Sequence, residues 1–149
     1  MKENYDALKL DNQLCFPLYA CSKEIVRMYK PFLDEVDLTY TQYITMMVLW
    51  EQEEINVKQL GERLYLDSGT LTPLLKKLES KGYITRSRSA QDERNLIVKL
   101  TDEGRLLKKK AVCIPEKMAG CVHLTQQEAF ELYRLLHKVL SAVNDESGN

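Results

Sequence analysis

Apolar residues at Leu10, Leu14, Leu18, Cys21, Ile25, Met28 and Phe32 recur at steps of four and three. That spacing places them on one face of a helix with 3.6 residues per turn. It predicts a long first helix, bent at Pro17 by the loss of a backbone hydrogen bond and weakening at Pro31. A second helix is predicted from Thr39, which with Gln42 has capping-box spacing, through Tyr43, Ile44, Met47 and Val48 to about Trp50. Asn56 with Gln59 opens a short third helix that buries Val57, Leu60 and Leu64. Asp67, Ser68, Gly69 and Thr70 read as a turn. Beyond it Leu71, Leu74, Leu75 and Leu78 share one face of a fourth helix, closed by Gly82. Pro73 is compatible with that helix near its first turn, where a missing donor costs little.

The period then changes. Residues 83–88 and Leu96–Leu100 read as two short strands, with Leu96, Val98 and Leu100 alternating and a polar tip between the strands. Thr101, followed by Asp102 and Glu103, caps a fifth helix. Thr125 with Glu128 opens a sixth, striped by Phe130, Tyr133, Leu136, Leu140 and Val143. The predicted fold is mainly α with a small β-hairpin wing. It is a winged helix-turn-helix over about residues 39–100, flanked by N- and C-terminal dimerisation helices over about 8–32 and 101–145, in one domain of 1–149. Phe16, Tyr19, Val26 and Tyr29 add a second apolar face to the first helix, more than one small domain readily buries, and a homodimer is expected.

Charge sharpens this picture. Net charge is only −1, but residues 57–110 hold 13 basic against 7 acidic side chains, and the rest of the chain 8 against 15. A basic middle between acidic ends suits an anion-binding module. The outer face of the fourth helix presents Ser68, Thr70, Thr72, Lys76 and Lys77, side chains that meet base edges or phosphates in a major groove. Lys81 is expected to join Lys76 and Lys77 on phosphates. The hairpin supplies Arg86, Arg88 and Arg94, and an arginine at a flexible tip suits a narrow minor groove. A winged helix that docks onto another protein is the competing interpretation of the same pattern.

Hydrophobic residues make up 44% and charged residues 29% of the chain, as in soluble proteins generally. Lys2, Glu3, Asp6, Lys9 and Asp11 interrupt any apolar leader, and no run approaches the ~18 residues that span a bilayer. A cytoplasmic protein without membrane contact is expected, its four cysteines reduced, with Cys21 in the core. His123 and His137 lack ligand-spaced neighbours, no CxxC pair or nucleotide-binding glycine motif occurs, and no metal or cofactor is expected.

The run Leu60-Gly61-Glu62-Arg63-Leu64-Tyr65-Leu66-Asp67-Ser68-Gly69-Thr70-Leu71-Thr72-Pro73-Leu74-Leu75-Lys76-Lys77-Leu78-Glu79 resembles the MarR family and, within it, the organic hydroperoxide resistance repressors. Asp92-Glu93-Arg94 and Asn12-Gln13-Leu14-Cys15-Phe16 extend the likeness, which covers about residues 10–143. The resemblance implies a homodimeric repressor, not an enzyme, on a pseudo-palindromic double-stranded operator. An organic hydroperoxide would release it by oxidising Cys15. Tyr19 and Tyr29 would hold the Cys15 thiolate, and Asp67 and Asp92 would support the reading head and wing. Tyr29 lies fourteen residues from Cys15, about 21 Å along a helix, so a partner subunit would have to supply it. Cys121 is the family-implied candidate for a resolving thiol and Cys113 a poorer match; a low-molecular-weight thiol is the alternative. A repressor released by a small aromatic ligand and a thiol peroxidase remain open as other functions for the same residues.

Overall fold

Helix α2, Tyr40–Gln52, is apolar on most of its circumference and is buried accordingly: Tyr43, Met46, Val48 and Leu49 all lie in the core. Its start is fixed locally. In this computed structural model, which describes residues 3–147, Thr39 Oγ1 accepts from Gln42 N at 3.3 Å, and Gln42 Oε1 accepts from Thr39 N at 3.1 Å. This is the capping box expected from the sequence. The described residues form two compact units, one ending at Pro115 and the other beginning at Glu116.

In the first unit α1 spans Cys15–Asp34 and so begins later than its apolar stripe suggested. Two 3-10 turns, Asp6–Leu8 and Leu10–Asn12, precede it, tied by Gln13 Nε2 donating to Ala7 O and Lys9 O at 2.6 and 2.9 Å. Pro17 explains the late start. A helix running through from Leu10 would need a Pro17 N–H for the Gln13 carbonyl, whereas in α1 Pro17 is the third residue, where no intrahelical donor is needed. Pro17 therefore sets the beginning of α1. Pro31 lies inside α1, which runs one further turn before ending.

Helices α3, Val57–Leu64, and α4, Ser68–Ser80, follow. Asn56 Oδ1 caps α3 by accepting from Lys58 N at 2.7 Å. Ser68, Gly69 and Thr70, expected in a turn, are instead the first turn of α4, because Asp67 caps it. Pro73 consequently sits in the second turn, and the bond it cannot donate is the one to Gly69. Leu71, Leu74, Leu75 and Leu78 form the buried face of α4, as the periodicity requires. Gly82 closes the helix at φ +83, a left-handed conformation that favours glycine.

Strands β1, Glu54–Asn56, β2, Ile84–Arg88, and β3, Leu96–Leu100, make an antiparallel sheet in the order β1-β3-β2. The β2–β3 hairpin is the expected wing. Strand β1 was not foreseen: Ile55 lies opposite Val98, and both are buried. Thr101 Oγ1 caps α5, Asp102–Ala111, accepting from Gly104 N at 3.0 Å. Val112 and Cys113 then form a turn that ends α5, and α6, Ile114–Val122, is a separate helix with Pro115 in its first turn. In the second unit α7, Gln126–Ser147, starts at a reciprocal pair: Thr125 N donates to Glu128 Oε2 at 2.8 Å, and Glu128 N to Thr125 Oγ1 at 3.2 Å.

The tightest backbone approach is at Gly104. Trp50 Nε1 donates to Gly104 O at 2.8 Å, and a Cβ at Gly104 would fall 2.3 Å from Tyr83 O and 2.6 Å from Leu100 Cδ1. The obstructing carbonyl also accepts from Thr101 N and cannot swing aside. Gly104→Ala should therefore cost about 1–3 kcal/mol or more of stability, read as a lowered urea midpoint at unchanged slope. A loss below about 0.5 kcal/mol, well under the overpacking range, would show that α5 is only loosely seated on β2 and β3.

Candidate nucleic-acid interface and redox site

Helix α3, a three-residue turn and α4 form the helix-turn-helix. Tyr65 ends α3 at φ 55, and Leu66 N donates to Gly61 O at 3.0 Å. Asp67 Oδ1 then accepts from Thr70 N at 2.7 Å and fixes the start of α4. With its leucines inward, α4 exposes Ser68, Thr70, Thr72, Lys76 and Lys77 on the other side. Thr72 Oγ1 donates to Ser68 O at 2.8 Å, which leaves its lone pairs outward. A cleft of about 250 Å³, bordered by Thr39, Thr41, Thr70 and Lys77, opens beside the N terminus of α2. Among the described residues Lys76 and Lys77 find no ion-pair partner. Lys81 does not share their freedom: its Nζ donates to Asp37 O and lies 3.3 Å from the Asp37 carboxylate and 3.4 Å from Gln42 Oε1. It ties the end of α4 to α2 and is not an open phosphate contact.

The three wing arginines have three different positions. Arg94 is exposed at the tip, its side chain unengaged, while its own N–H donates to Asp92 Oδ1 at 3.0 Å. Asp92 O also accepts from Asn95 N at 3.0 Å, so Asp92 folds the tip. Arg88 donates to Glu93 O at 2.8 Å. Arg86, expected at the DNA, is turned inward. Its side chain is 20% exposed and its guanidinium donates to Glu79 Oε1 at 3.1 Å. Its Nε is buried with no protein partner, a desolvation cost of about 1–3 kcal/mol that Glu79 must offset. Glu79 is held below the usual carboxylate range by that hydrogen bond. Opposite charges either side of the Gly82 turn were the only sequence signal for this pair.

Cys15 is the first residue of α1 and is exposed. Tyr19 follows one turn later, exposed, with Lys23 Nζ 5.5 Å from its ring centroid. Tyr29 packs elsewhere, with ring centroids 4.9 Å from Tyr40 and 5.9 Å from Tyr43. Burial, and secondarily Tyr40, push the Tyr29 phenol above its ordinary pKa, and burial does the same to Tyr40. Phenols are protonated hydrogen-bond donors at neutral pH in any case, and the shift moves both further from ionisation. Tyr40 was not singled out from the sequence. Within one chain α1 is continuous from Cys15 through Tyr29, so the two remain about 21 Å apart along the axis. Cys21, expected in the core, is exposed. Cys113 is also exposed, its thiol 3.7 Å from Lys110 O, and Cys121 is half-buried on α6, donating to Lys117 O at 3.3 Å. No group of three or more His, Cys, Asp or Glu among the described residues could hold a metal. No helix among them is long and apolar enough to cross a membrane.

A capped reading helix, an antiparallel wing and an exposed basic face between them define a winged helix-turn-helix transcriptional regulator. Residues 27–111 match the family of transcriptional regulators SarA/Rot. The chain is 46% identical over 147 residues to the organic hydroperoxide resistance transcriptional regulator of Bacillus subtilis, covering 99% of this chain and 100% of that one. It is 46% identical over 138 residues, 93% of each chain, to the HTH-type transcriptional regulator SarZ of Staphylococcus aureus. AbfR of Staphylococcus epidermidis, solved reduced and bound to DNA, superposes with a TM-score of 0.75 at 33% identity over 93% of this chain and 96% of that one. AbfR has also been solved overoxidised on DNA and in a disulfide form. The chain belongs to the SarA/Rot family of MarR-type transcriptional regulators.

The different positions of the lysines separate their roles. On duplex DNA, Lys76→Ala and Lys77→Ala should each lower the slope of log K against log salt by about 1 per subunit bound, about 2 for a two-fold dimer. Lys81→Ala should leave that slope unchanged while lowering thermal stability. An equal drop for Lys81→Ala would mean that its tie to Asp37 and Gln42 opens on DNA.

Proposed function

We propose that this chain is a homodimeric, DNA-binding transcriptional repressor in the cytoplasm that senses organic hydroperoxide through Cys15. The observation that carries this proposal is the 46% identity over the full length to the Bacillus organic hydroperoxide regulator, in a chain whose Cys15 stands exposed on α1. Phe16, Leu18, Tyr19, Ile25 and Val26 are exposed apolar side chains on α1, and in the second unit Phe130, Tyr133 and Val143 are exposed on α7. Apolar surface of this kind supports pairing with a second copy of the chain. A two-fold dimer presents two copies of α4 to successive major-groove segments, which suits a pseudo-palindromic operator. Ser68, Thr70, Thr72, Lys76, Lys77 and Arg94 are the proposed DNA contacts. Arg86 moves to a supporting position because Glu79 holds it.

In the proposed chemistry the Cys15 thiolate attacks the outer oxygen of ROOH. An S–O bond forms, the O–O bond breaks, and the departing alkoxide takes a proton to become the alcohol. The sulfenic acid then condenses with a second thiol, forming a disulfide and releasing water. Cys121 or a low-molecular-weight thiol is the proposed second thiol. Tyr19 and the partner subunit's Tyr29 donate hydrogen bonds to the thiolate before oxidation. The Tyr29 phenol is protonated at neutral pH and can donate such a bond.

Cys15→Ser should bind operator DNA as the wild type does and stay bound after one equivalent of cumene hydroperoxide, measured by fluorescence anisotropy. Release of the Cys15→Ser protein would assign the sensing to another group. Tyr29→Phe keeps the ring packing against Tyr40 but loses the donor. It should slow oxidation of Cys15 about 10- to 150-fold, the equivalent of one hydrogen bond to a charge. An unchanged rate would remove Tyr29 from the thiolate site.

A further inference from the structure

We infer that Glu79 is a positioning residue: its carboxylate joins the end of the reading helix to the wing, so that Arg94 contributes to DNA binding only while Glu79 holds Arg86. This rests on the proposed DNA-binding function and adds to it a residue outside the contact face. Strand β2 is the edge of the β1-β3-β2 sheet. Ser89 N donates to Asn95 O, and Thr101 N to Tyr83 O, so the hydrogen-bonded pairs of the hairpin fall on odd-numbered β2 positions. The N–H of Arg86 therefore points away from β3. It meets Glu79 Oε2 at 3.0 Å, while Arg86 Nη2 meets Glu79 Oε1 at 3.1 Å.

One carboxylate thus satisfies an edge-strand donor and neutralises the cation beside it. Such a two-point contact fixes both distance and direction between α4 and β2. The intervening turn, with Gly82 at φ +83, is held by its own backbone bonds, Gly82 N to Glu79 O and Tyr83 N to Leu78 O, and the Glu79 contact adds a side-chain tie one residue pair further into the wing. From Arg86 the constraint continues along β2 to Arg88, which donates to Glu93 O, and so to the Asp92-folded tip that carries Arg94. Glu79 is charged at neutral pH, and the hydrogen bond from Arg86 holds its carboxyl below the usual carboxylate range, so the contact extends to more acid conditions.

The test is a double-mutant cycle on a duplex that the wild-type protein selects from a random DNA pool. In the wild-type background Arg94→Ala should weaken binding about 5- to 150-fold. In the Glu79→Ala background the same change should cost less than about twofold, an interaction of the size expected for residues in one contact network. Lys76→Ala should keep its full cost there, because α4 itself remains seated by its leucines. A general loss of structure would erase the Lys76 effect as well. The pair Glu79→Leu with Arg86→Leu replaces both polar partners with apolar groups and leaves no buried charge behind. It provides the same measurement if Glu79→Ala does not fold, with the same expected loss of the Arg94 effect. Additive costs of Glu79 and Arg94 in the folded background, or no cost of Arg94→Ala in the wild type, would overturn the inference. Failure of the wild type to enrich any duplex is a separate result that would overturn DNA binding itself.

Discussion

Burial of the four leucines of α4 governs the geometry of everything that faces outward. Leu71, Leu75 and Leu78 are at most 1% exposed and Leu74 is 7% exposed. Each such side chain contributes about 1.5–3 kcal/mol, so the face supplies roughly 6–12 kcal/mol as an upper bound. That is comparable to the entire net stability of a domain, about 5–15 kcal/mol. Rotating α4 by one position would bring Thr72, Lys76 and Glu79 into the core and expose three of the four leucines. The rotation is therefore fixed, and with it the outward direction of Ser68, Thr72, Lys76 and Lys77. A hydroxyl or an ammonium on the far face contributes little to folding, so the chemistry of the contact face can vary without loss of the scaffold.

The parts of this fold legible in the sequence are those whose cause is local. Thr39 with Gln42, Asn56, Thr101, and Thr125 with Glu128 all start helices as their spacing indicates, because a cap is satisfied within three or four residues. Strand β1 was invisible because three residues are too few to show alternation, and it exists only through its pairing with β3. The start of α4 lies earlier than its turn-like residues suggest, because Asp67 suits a turn and a helix cap equally and here caps the helix. In the candidate site, Lys76, Lys77 and Arg94 are exposed, as pattern alone suggested. Lys81 and Arg86 are not open, because their partners Asp37 and Glu79 belong to other elements. Periodicity assigns a residue to a face; only the packed structure supplies what lies opposite that face.

The same distinction changes the meaning of the basic middle of the chain. Arg63, Lys81, Arg86, Lys99 and Arg105 are each paired with a carboxylate, on Glu51, Asp37, Glu79, Glu54 and Glu53 respectively. Arg105 also meets Asp102, and its hydrogen bond to Glu53 holds that carboxyl below the usual carboxylate range. These cations join α2, β1 and α5 and carry little free field. Among the described residues Lys76, Lys77 and Arg94 have no such partners. The paired cations contribute little to the positive potential that a polyanion meets, which is therefore weaker than residue counting suggests.

Switching such a reader by a single thiol is energetically demanding. Moving a population from 99:1 to 1:99 takes about 5.5 kcal/mol of differential stabilisation. One hydrogen bond to a charged group contributes about 1.5–3 kcal/mol, so a lone thiolate losing one donor falls short. A two-fold dimer contains two such thiolates, and losing one donor at each amounts to about 3–6 kcal/mol, which reaches the requirement. The placement of Tyr29 favours this arrangement. It stands on the same continuous α1 as Cys15 yet is packed on Tyr40, the first residue of α2. Losing a bond to Tyr29 across the dimer would therefore act on the start of α2, where Gln42 contacts the lysine that closes α4. In the proposed switch, dimerisation supplies both the missing donor and the doubling of energy that one chain lacks.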